Sequence, residues 1–148
     1  MSMKISIAIP QELVPVDRAC MRRAARTVLE GEGVKEAEIS LAFVDNATSH
    51  RLNKLYLQHD EPTDVLSFPS GDPRASFLTG ELVIGAEVAK TQAEDRGHDI
   101  QAELALYVIH GLLHLCGYDD KTQDTAKEMR QRERHYLQLL GLPAIAPE

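Results

Sequence analysis

The sequence predicts an α+β fold, a mixed α/β arrangement in which a small, mostly four-stranded mixed sheet is packed with about five helices. Three observations support this prediction. The chain has 148 residues, which suits one hydrophobic core, so residues 1–148 are expected to form a single domain. Segments with the two-residue period of strands alternate with segments of helical period. One segment, 100–117, is apolar almost all round, as expected for a helix buried on every side.

The first half of the chain is predicted to form two strands and two helices. Apolar residues alternate over Lys4–Pro10 and the pattern ends at proline, which predicts a strand. The segment Val16–Glu30 has helical spacing and is followed by Gly31, which is typical of a helix end. β-Branched and aromatic residues over Glu36–Asn46 predict the second strand, and residues 47–58 return to a helical period.

The second half is predicted to form two more strands and three helices. A short buried strand is expected over Val65–Phe68, between a turn and a loop rich in proline, glycine and aspartate. A further strand over Glu81–Ile84 precedes a helix that extends to about Arg96. After the apolar helix, Lys121–Leu140 is predicted to form a long amphipathic helix, since a glycine and a proline follow it.

Composition limits the class of function. Lys and Arg number 16 against 23 Asp and Glu, a net charge of −7, which argues against an indiscriminate nucleic-acid binder. The two cysteines, Cys20 and Cys116, form no CxxC pair, so neither a disulfide scaffold nor a zinc ribbon is indicated. The N-terminal apolar run is too short for a signal peptide, and no run reaches the roughly 20 residues of a membrane span. We therefore expect a cytoplasmic protein with no membrane partner.

Contact with RNA would require a local basic patch, because phosphate neutralisation supplies most of the affinity for RNA. The predicted first and last helices each carry four basic residues: Arg18, Arg22, Arg23 and Arg26 on the first, and Lys127, Arg130, Arg132 and Arg134 on the last. Either cluster can equally be the solvated face of an amphipathic helix. The sequence leaves both interpretations open.

The stretch HGLLHLCGYDD predicts a metal site. His110 and His114 are four residues apart, so on a helix their Cβ atoms lie about 5–6 Å apart and both rings can reach one ion. Gly117 permits a left-handed turn that brings the carboxylates of Asp119 and Asp120 back toward the histidines. A lone buried histidine is usually a neutral, hydrogen-bonded ring, but two at this spacing before a carboxylate pair favour a divalent ion.

Three protein ligands and an open coordination position are typical of a catalytic ion. The open position holds a metal-bound water whose pKa the ion lowers toward neutrality, which makes a metal-dependent hydrolase the preferred hypothesis. The peptidase motif HExxH places its general base directly after the first histidine, where this chain has Gly111. A zincin-type metallopeptidase is therefore an alternative only if another carboxylate, such as Glu81, replaces that base.

These motifs resemble those of one known family. HGLLHLCGYDD with the later Met129, and LNKLYLQHDEPTDVLSFP and GELVIG upstream, are similar to the YbeY family of bacterial metal-dependent endoribonucleases over nearly the whole chain. The resemblance implies a zincin-like fold, one Zn²⁺ in an open cleft, and cleavage of single-stranded RNA in 16S rRNA 3′-end maturation and ribosome quality control. The implied partners are rRNA, the small ribosomal subunit, ribosomal proteins and a ribosome-assembly GTPase, with no DNA expected.

The resemblance assigns the metal ligands to His110, His114 and Asp120. The family most often has histidine at the third position, and the additional negative charge of Asp120 favours harder ions, so Mn²⁺ or another divalent ion is an alternative to Zn²⁺. A non-catalytic ribosome assembly factor, whose ion only ties the last two helices together, is a second alternative function. Chelation alone does not separate it from an enzyme, because metal binding is coupled to folding.

The residues that would contact phosphate and transfer protons are less defined. Some members of the family carry an arginine before the PTDVLSFP strand, where this chain has Leu57. His59, Lys54 and Arg51 are the candidates to supply the positive charge instead, although Lys54 and Arg51 can equally be solvated helix residues. Glu81 is the candidate proton-transfer residue.

Overall fold

A four-stranded mixed sheet forms the centre of the molecule. The computed structural model describes residues 2–56, 65–70, 77–143 and 145–146. The strands lie in the order β1-β2-β4-β3; the first three run parallel and β3 is antiparallel to β4. Their bounds are β1 (Ser2–Ala8), β2 (Glu36–Val44), β3 (Val65–Ser70) and β4 (Phe77–Gly85). The predicted mixed sheet is thereby confirmed.

Five helices accompany the sheet in the described residues, as predicted. The helix ends lie within about two residues of the sequence-based bounds, because several of them carry clear signals. Asp17 caps the first helix, and Gly97, at φ +71°, ends the third. None of these helices is long and apolar enough to cross a membrane. The helices are α1 (Arg18–Gly31), α2 (Asn46–Tyr56), α3 (Ala86–Arg96), α4 (Ile100–Leu115) and α5 (Gln123–Leu139).

Strand β4 is longer than predicted. The sequence suggested four residues, Glu81–Ile84, whereas the strand begins at Phe77 and pairs with both β2 and β3. Gly80 weakens the strand pattern in the sequence because glycine has no side chain to pack. In the structure a Cβ at Gly80 would lie 2.9 Å from Leu115 Cδ1, so the glycine allows helix α4 to approach the sheet.

Helix α4 is buried among the sheet and the other helices, as its apolar sequence predicts. It packs against β3 and β4 on one side and against α1, α3 and α5 on the others, and every residue from Ala102 to Ile109 is buried. Helix α2 covers part of the opposite face of the sheet, where Leu52 packs against Val44, Leu66 and Val83. The two faces of the sheet therefore have different neighbours, and only one of them faces α4.

Gly111 sets the distance between α4 and the sheet. A Cβ at this position would lie 2.9 Å from Leu82 Cδ1 and from Val65 Cγ1. Gly111→Val should therefore lower the free energy of unfolding by about 2 kcal/mol or more, near the upper part of the usual overpacking cost. Urea unfolding checks this, with the exposed helical Gln131→Val as the control, which should change stability by less than about 0.5 kcal/mol. Equal unfolding midpoints for the two variants would contradict the prediction.

Two arginines of α1 bind the outer edge of the sheet. Arg18 Nη1 donates to the carbonyl oxygen of Ile7 at 2.9 Å, and Arg22 Nη2 donates to that of Ile5 at 3.5 Å. Among the described strands β1 pairs with β2 on one side only, so its other side presents backbone groups that need partners. These arginines satisfy part of that edge.

Helix α5 is joined to the end of α1 by a polar cluster. Glu32 accepts hydrogen bonds from Arg132 Nη2 at 2.6 Å and from the Tyr136 hydroxyl. Burial raises the pKa of the Glu32 carboxyl, but the hydrogen bonds from Tyr136 and Arg132 outweigh burial and lower it overall. Arg132 is thus engaged within the protein and holds α5 against the end of α1.

Candidate metal centre

The two histidines lie at the C-terminal end of α4 and point to the same place. His110 Nε2 and His114 Nε2 are 3.1 Å apart, and both side chains are partly exposed. Ligand atoms of His110, His114 and Asp120 all lie within 4.8 Å of one another. The structure therefore brings together the three residues that the sequence assigned to the metal.

In each histidine the other ring nitrogen, Nδ1, lies within hydrogen-bond distance of an acceptor oxygen. His110 Nδ1 lies 2.6 Å from Glu133 Oε2, and His114 Nδ1 lies 3.0 Å from the carbonyl oxygen of Tyr118. A carbonyl oxygen only accepts, so Nδ1 of His114 carries the proton; the carboxylate of Glu133 favours the same tautomer for His110. In neutral rings of this tautomer both Nε2 atoms carry lone pairs, and the two rings are inclined at 82° with these atoms at their closest approach.

The spacing of the two nitrogens suits two ligands of a single ion. Zn–N distances of about 2.0–2.1 Å in a tetrahedral site place two ligand nitrogens about 3.3 Å apart. The observed 3.1 Å between the Nε2 atoms is close to that value. Lone pairs on two nitrogens this close repel each other unless a cation binds both. The pair of histidines therefore fits a divalent ion.

Burial also favours the neutral form of one ligand. The pKa of His114 is lowered by burial and, second, by the neighbouring His110. A neutral imidazole is the form that binds a metal, because protonation removes the lone pair from Nε2. The helix position that brings the rings together therefore also helps to keep a lone pair available.

The turn after α4 supplies the carboxylate. Gly117 has φ +106°, and the amide of Tyr118 donates to the carbonyl oxygen of Leu113 at 3.0 Å, which reverses the chain as predicted. Asp119 Oδ1 accepts from the amide of Lys121 at 3.0 Å, and this hydrogen bond lowers its pKa. Asp119 thus stabilises the turn, while the exposed Asp120 is the carboxylate that lies with the histidines.

Sequence reasoning missed Glu133. Its side chain is fully buried, and its second oxygen, Oε1, lies 3.4 Å from Arg130 Nη1. A signal was present in the sequence: Met129, Glu133 and Leu137 recur every four residues, so a carboxylate interrupts the apolar face of α5. A buried carboxylate beside a predicted metal-binding histidine is typical of the residues that orient such ligands.

Cys116 is not part of the ligand set. Burial raises the pKa of its thiol to about 11, with Glu32 as the second cause. Its sulfur is not among the converging ligand atoms of the described residues, which belong to His110, His114 and Asp120. The interpretation of Cys116 as a partly buried structural thiol agrees with these properties.

The other candidates from the sequence are not brought to the histidines. Glu81 is exposed and pairs across the strands with Ser40 and Phe68. Its neighbour Leu82 faces Gly111 of α4, and because side chains alternate along a strand, Glu81 points to the opposite face of the sheet. The structure thus separates the proposed proton-transfer residue from the metal ligands.

The residues predicted to contact phosphate lie either away from the two histidines or outside the described residues. Arg51 and Lys54 are exposed on α2, which covers the face of the sheet opposite α4. Arg51 Nη2 lies 3.5 Å from Thr48 Oγ1 of the same helix. Leu57 and His59 lie outside the described residues.

Comparisons with known proteins match nearly the whole chain. Residues 6–141 match the family model described as Endoribonuclease YbeY. A protein named Endoribonuclease YbeY from Pelotomaculum thermopropionicum is 42% identical over 150 residues, covering 95% of this chain and 99% of the relative. Another protein of that name, from Caldanaerobacter subterraneus, is 39% identical over 135 residues, covering 82% of this chain and 85% of the relative.

A solved structure shares the fold. The solution structure of a protein from Thermotoga maritima superposes with a TM-score of 0.65, covering 92% of this chain and 88% of the other. The two sequences are 24% identical, so this likeness bears on the fold alone. It agrees with the α+β arrangement that the sequence predicts.

Proposed function

Because the chain belongs to the YbeY family of endoribonucleases, as its motifs indicate, we propose that it cleaves single-stranded RNA with one divalent ion held by His110, His114 and Asp120. One observation carries the proposal: the ligand atoms of these residues converge within 4.8 Å, and Asp120 is exposed. We propose Zn²⁺ as the ion, because two imidazoles and one carboxylate with an open position are a typical catalytic zinc set. Mn²⁺ is the alternative, favoured by the carboxylate.

The residues of this chain hold and orient the reactive centre. When bound, the ion supplies a Lewis acid that stabilises negative charge on a phosphoryl oxygen and lowers the pKa of water. Glu133 and the Tyr118 carbonyl hold both histidines with Nε2 toward the site. Asp120 contributes a negative charge, which neutralises half the charge of a divalent ion and moderates its acidity.

We also propose a biological role. The chain would act in 16S rRNA 3′-end maturation and ribosome quality control in the cytoplasm. Its partners would be rRNA, the small ribosomal subunit, ribosomal proteins and a ribosome-assembly GTPase. The names of the relatives support RNA cleavage; the rRNA step and these partners rest on the motif resemblance described above.

The alternative functions are not favoured. Gly111 stands at the position of the peptidase general base, and a Cβ there would already lie 2.9 Å from Leu82 and Val65 side chains. Glu81 cannot replace that base from the opposite face of the sheet. The relatives carry the name of an endoribonuclease, which also argues against a non-catalytic assembly factor.

Substitution at Asp120 tests the ligand set. Purified wild type and Asp120→His should each carry about one ion per chain, whereas Asp120→Ala should retain little metal, because two ligands bind far less tightly than three. Cleavage of a single-stranded RNA should follow metal content across the three proteins. Elemental analysis and a gel assay, each with Zn²⁺ or Mn²⁺ restored, measure both quantities. A metal-loaded wild type that cleaves no single-stranded RNA would overturn the proposed function.

A further inference from the structure

Helix α5 carries a row of positive charge on its outer side. Lys127, Arg130 and Arg134 are separated by three and four residues, so they lie on one side of the helix. They line a surface groove of about 690 Å³ together with Gln123, Asp124, Ala126 and Gln131. One lining residue, Asp124, is acidic, so the groove has a net positive charge. We call Lys127, Arg130 and Arg134 the basic row.

The basic row adjoins the metal site. Arg130 Nη1 lies 3.4 Å from Glu133 Oε1, and Glu133 Oε2 lies 2.6 Å from His110 Nδ1. One carboxylate therefore joins the middle of the row to a metal ligand. The whole row, from residue 127 to residue 134, spans about 10 Å of helix at 1.5 Å per residue.

Three other basic residues of the two predicted clusters have structural contacts. Arg18 and Arg22 hydrogen-bond to carbonyl oxygens at the edge of β1, and Arg132 binds Glu32. The basic row lines a groove, and its residue Arg130 is linked to the candidate ligand His110 through Glu133. This position favours the phosphate-binding interpretation for Lys127, Arg130 and Arg134.

We propose that the basic row binds phosphates of the single-stranded RNA that enters the metal site. The inference rests on the proposed function and adds a substrate contact to it. A chain with net charge −7 repels RNA overall, so a strand can approach only where cations concentrate. A row of about 10 Å contacts two or so consecutive phosphates and so holds the strand near the metal site without touching the reacting bond.

The experiment compares two double variants that remove equal charge. Lys127→Gln with Arg134→Gln removes two cations of the row, while Arg130 is kept because it also contacts Glu133. Lys35→Gln with Arg96→Gln is the control, since both residues are exposed and lie outside α5. Binding of the metal-loaded proteins to a 2′-O-methyl single-stranded oligonucleotide is measured by fluorescence anisotropy from 0.05 to 0.3 M salt.

Loss of two phosphate contacts has a defined signature. For single strands each contact contributes about −0.7 to the slope of log K against log salt, so the row variant should have a slope shallower by about 1.4. At 0.1 M salt this corresponds to roughly 25-fold weaker binding. The KM for a cleavable RNA should rise by a similar factor while kcat changes less than about twofold, because the row binds substrate away from the reacting bond.

Three results separate the outcomes. If wild type binds and cleaves RNA but the row variant matches its control in slope and KM, the proposed phosphate binding by the basic row is wrong. The proposed function would then still stand. Equal losses in both double variants would mean that net charge alone matters, which also overturns the proposed phosphate binding. If metal-loaded wild type neither binds nor cleaves single-stranded RNA, the proposed function fails and the basic row fails with it. Thermal unfolding of each variant confirms that it is folded.

Discussion

Replacing His114 with alanine should remove both the bound metal and RNA cleavage. Its Nε2 lies 3.1 Å from that of His110, and its Nδ1 is held by the Tyr118 carbonyl, so the substitution leaves His110 and Asp120 of the three candidate ligands. We expect less than about a tenth of an ion per chain and a fall in kcat of about three orders of magnitude or more, because the ion supplies the main activation of the attacking group.

Cys116→Ser is the matched control for His114→Ala. It lies two residues further along the same helix end and is partly buried, but its thiol is not among the converging ligand atoms of the described residues. Elemental analysis and single-turnover cleavage of the two variants, side by side, separate loss of a ligand from damage to the helix end. A His114→Ala protein that keeps one ion per chain, or one that cleaves at the wild-type rate, would show the assigned ligand set to be wrong.

The convergence of His110, His114 and Asp120 was predictable because their geometry is local. His110 and His114 are one helical turn apart, and Gly117 ends that helix three residues later, so the sequence alone determines that two rings and a following carboxylate come together. The helix itself was predictable for the same reason, since its apolar residues are continuous in sequence.

Contacts between distant segments were not predictable in the same way. Glu133 meets His110 only because α5 packs against α4, and 23 residues separate the two in the chain. Alternation in β4 shows that Glu81 and Leu82 point in opposite directions, but the side on which α4 packs is decided by the whole core. Glu81 was predicted at the site because the sequence does not show on which face of the sheet α4 packs.

The two arginine clusters illustrate the same limit. Both helices have basic residues at helical spacing, and the sequence alone cannot distinguish them. The position of α1 beside the edge strand gives Arg18 and Arg22 backbone carbonyls to bind. The position of α5 beside α4 instead puts Arg130 next to the residue that holds a metal ligand. These different contacts follow from the topology and not from the local pattern.

Glu133→Ala should weaken metal binding about 10- to 100-fold, the usual effect of removing a carboxylate that orients a ligating histidine. The Glu133 carboxylate is fully buried and accepts from His110 Nδ1 at 2.6 Å, which holds Nε2 toward the ion and makes the ring a stronger donor. Glu133→Gln keeps an acceptor of the same size but removes the charge. We therefore expect a smaller loss for glutamine, nearer tenfold, than for alanine.

A chelator competition titration with Zn²⁺ measures these affinities, and Glu128→Gln, an exposed carboxylate on the same helix, is the control. The ¹⁵N shifts of His110 in the metal-free protein report its tautomer directly, and the Nδ1-protonated form should become less populated in Glu133→Ala. This second measurement matters because a general loss of stability would lower affinity without changing the tautomer. Glu133 orients His110 only if affinity and tautomer change together; if affinity falls with the tautomer unchanged, its role is limited to packing α5 against α4.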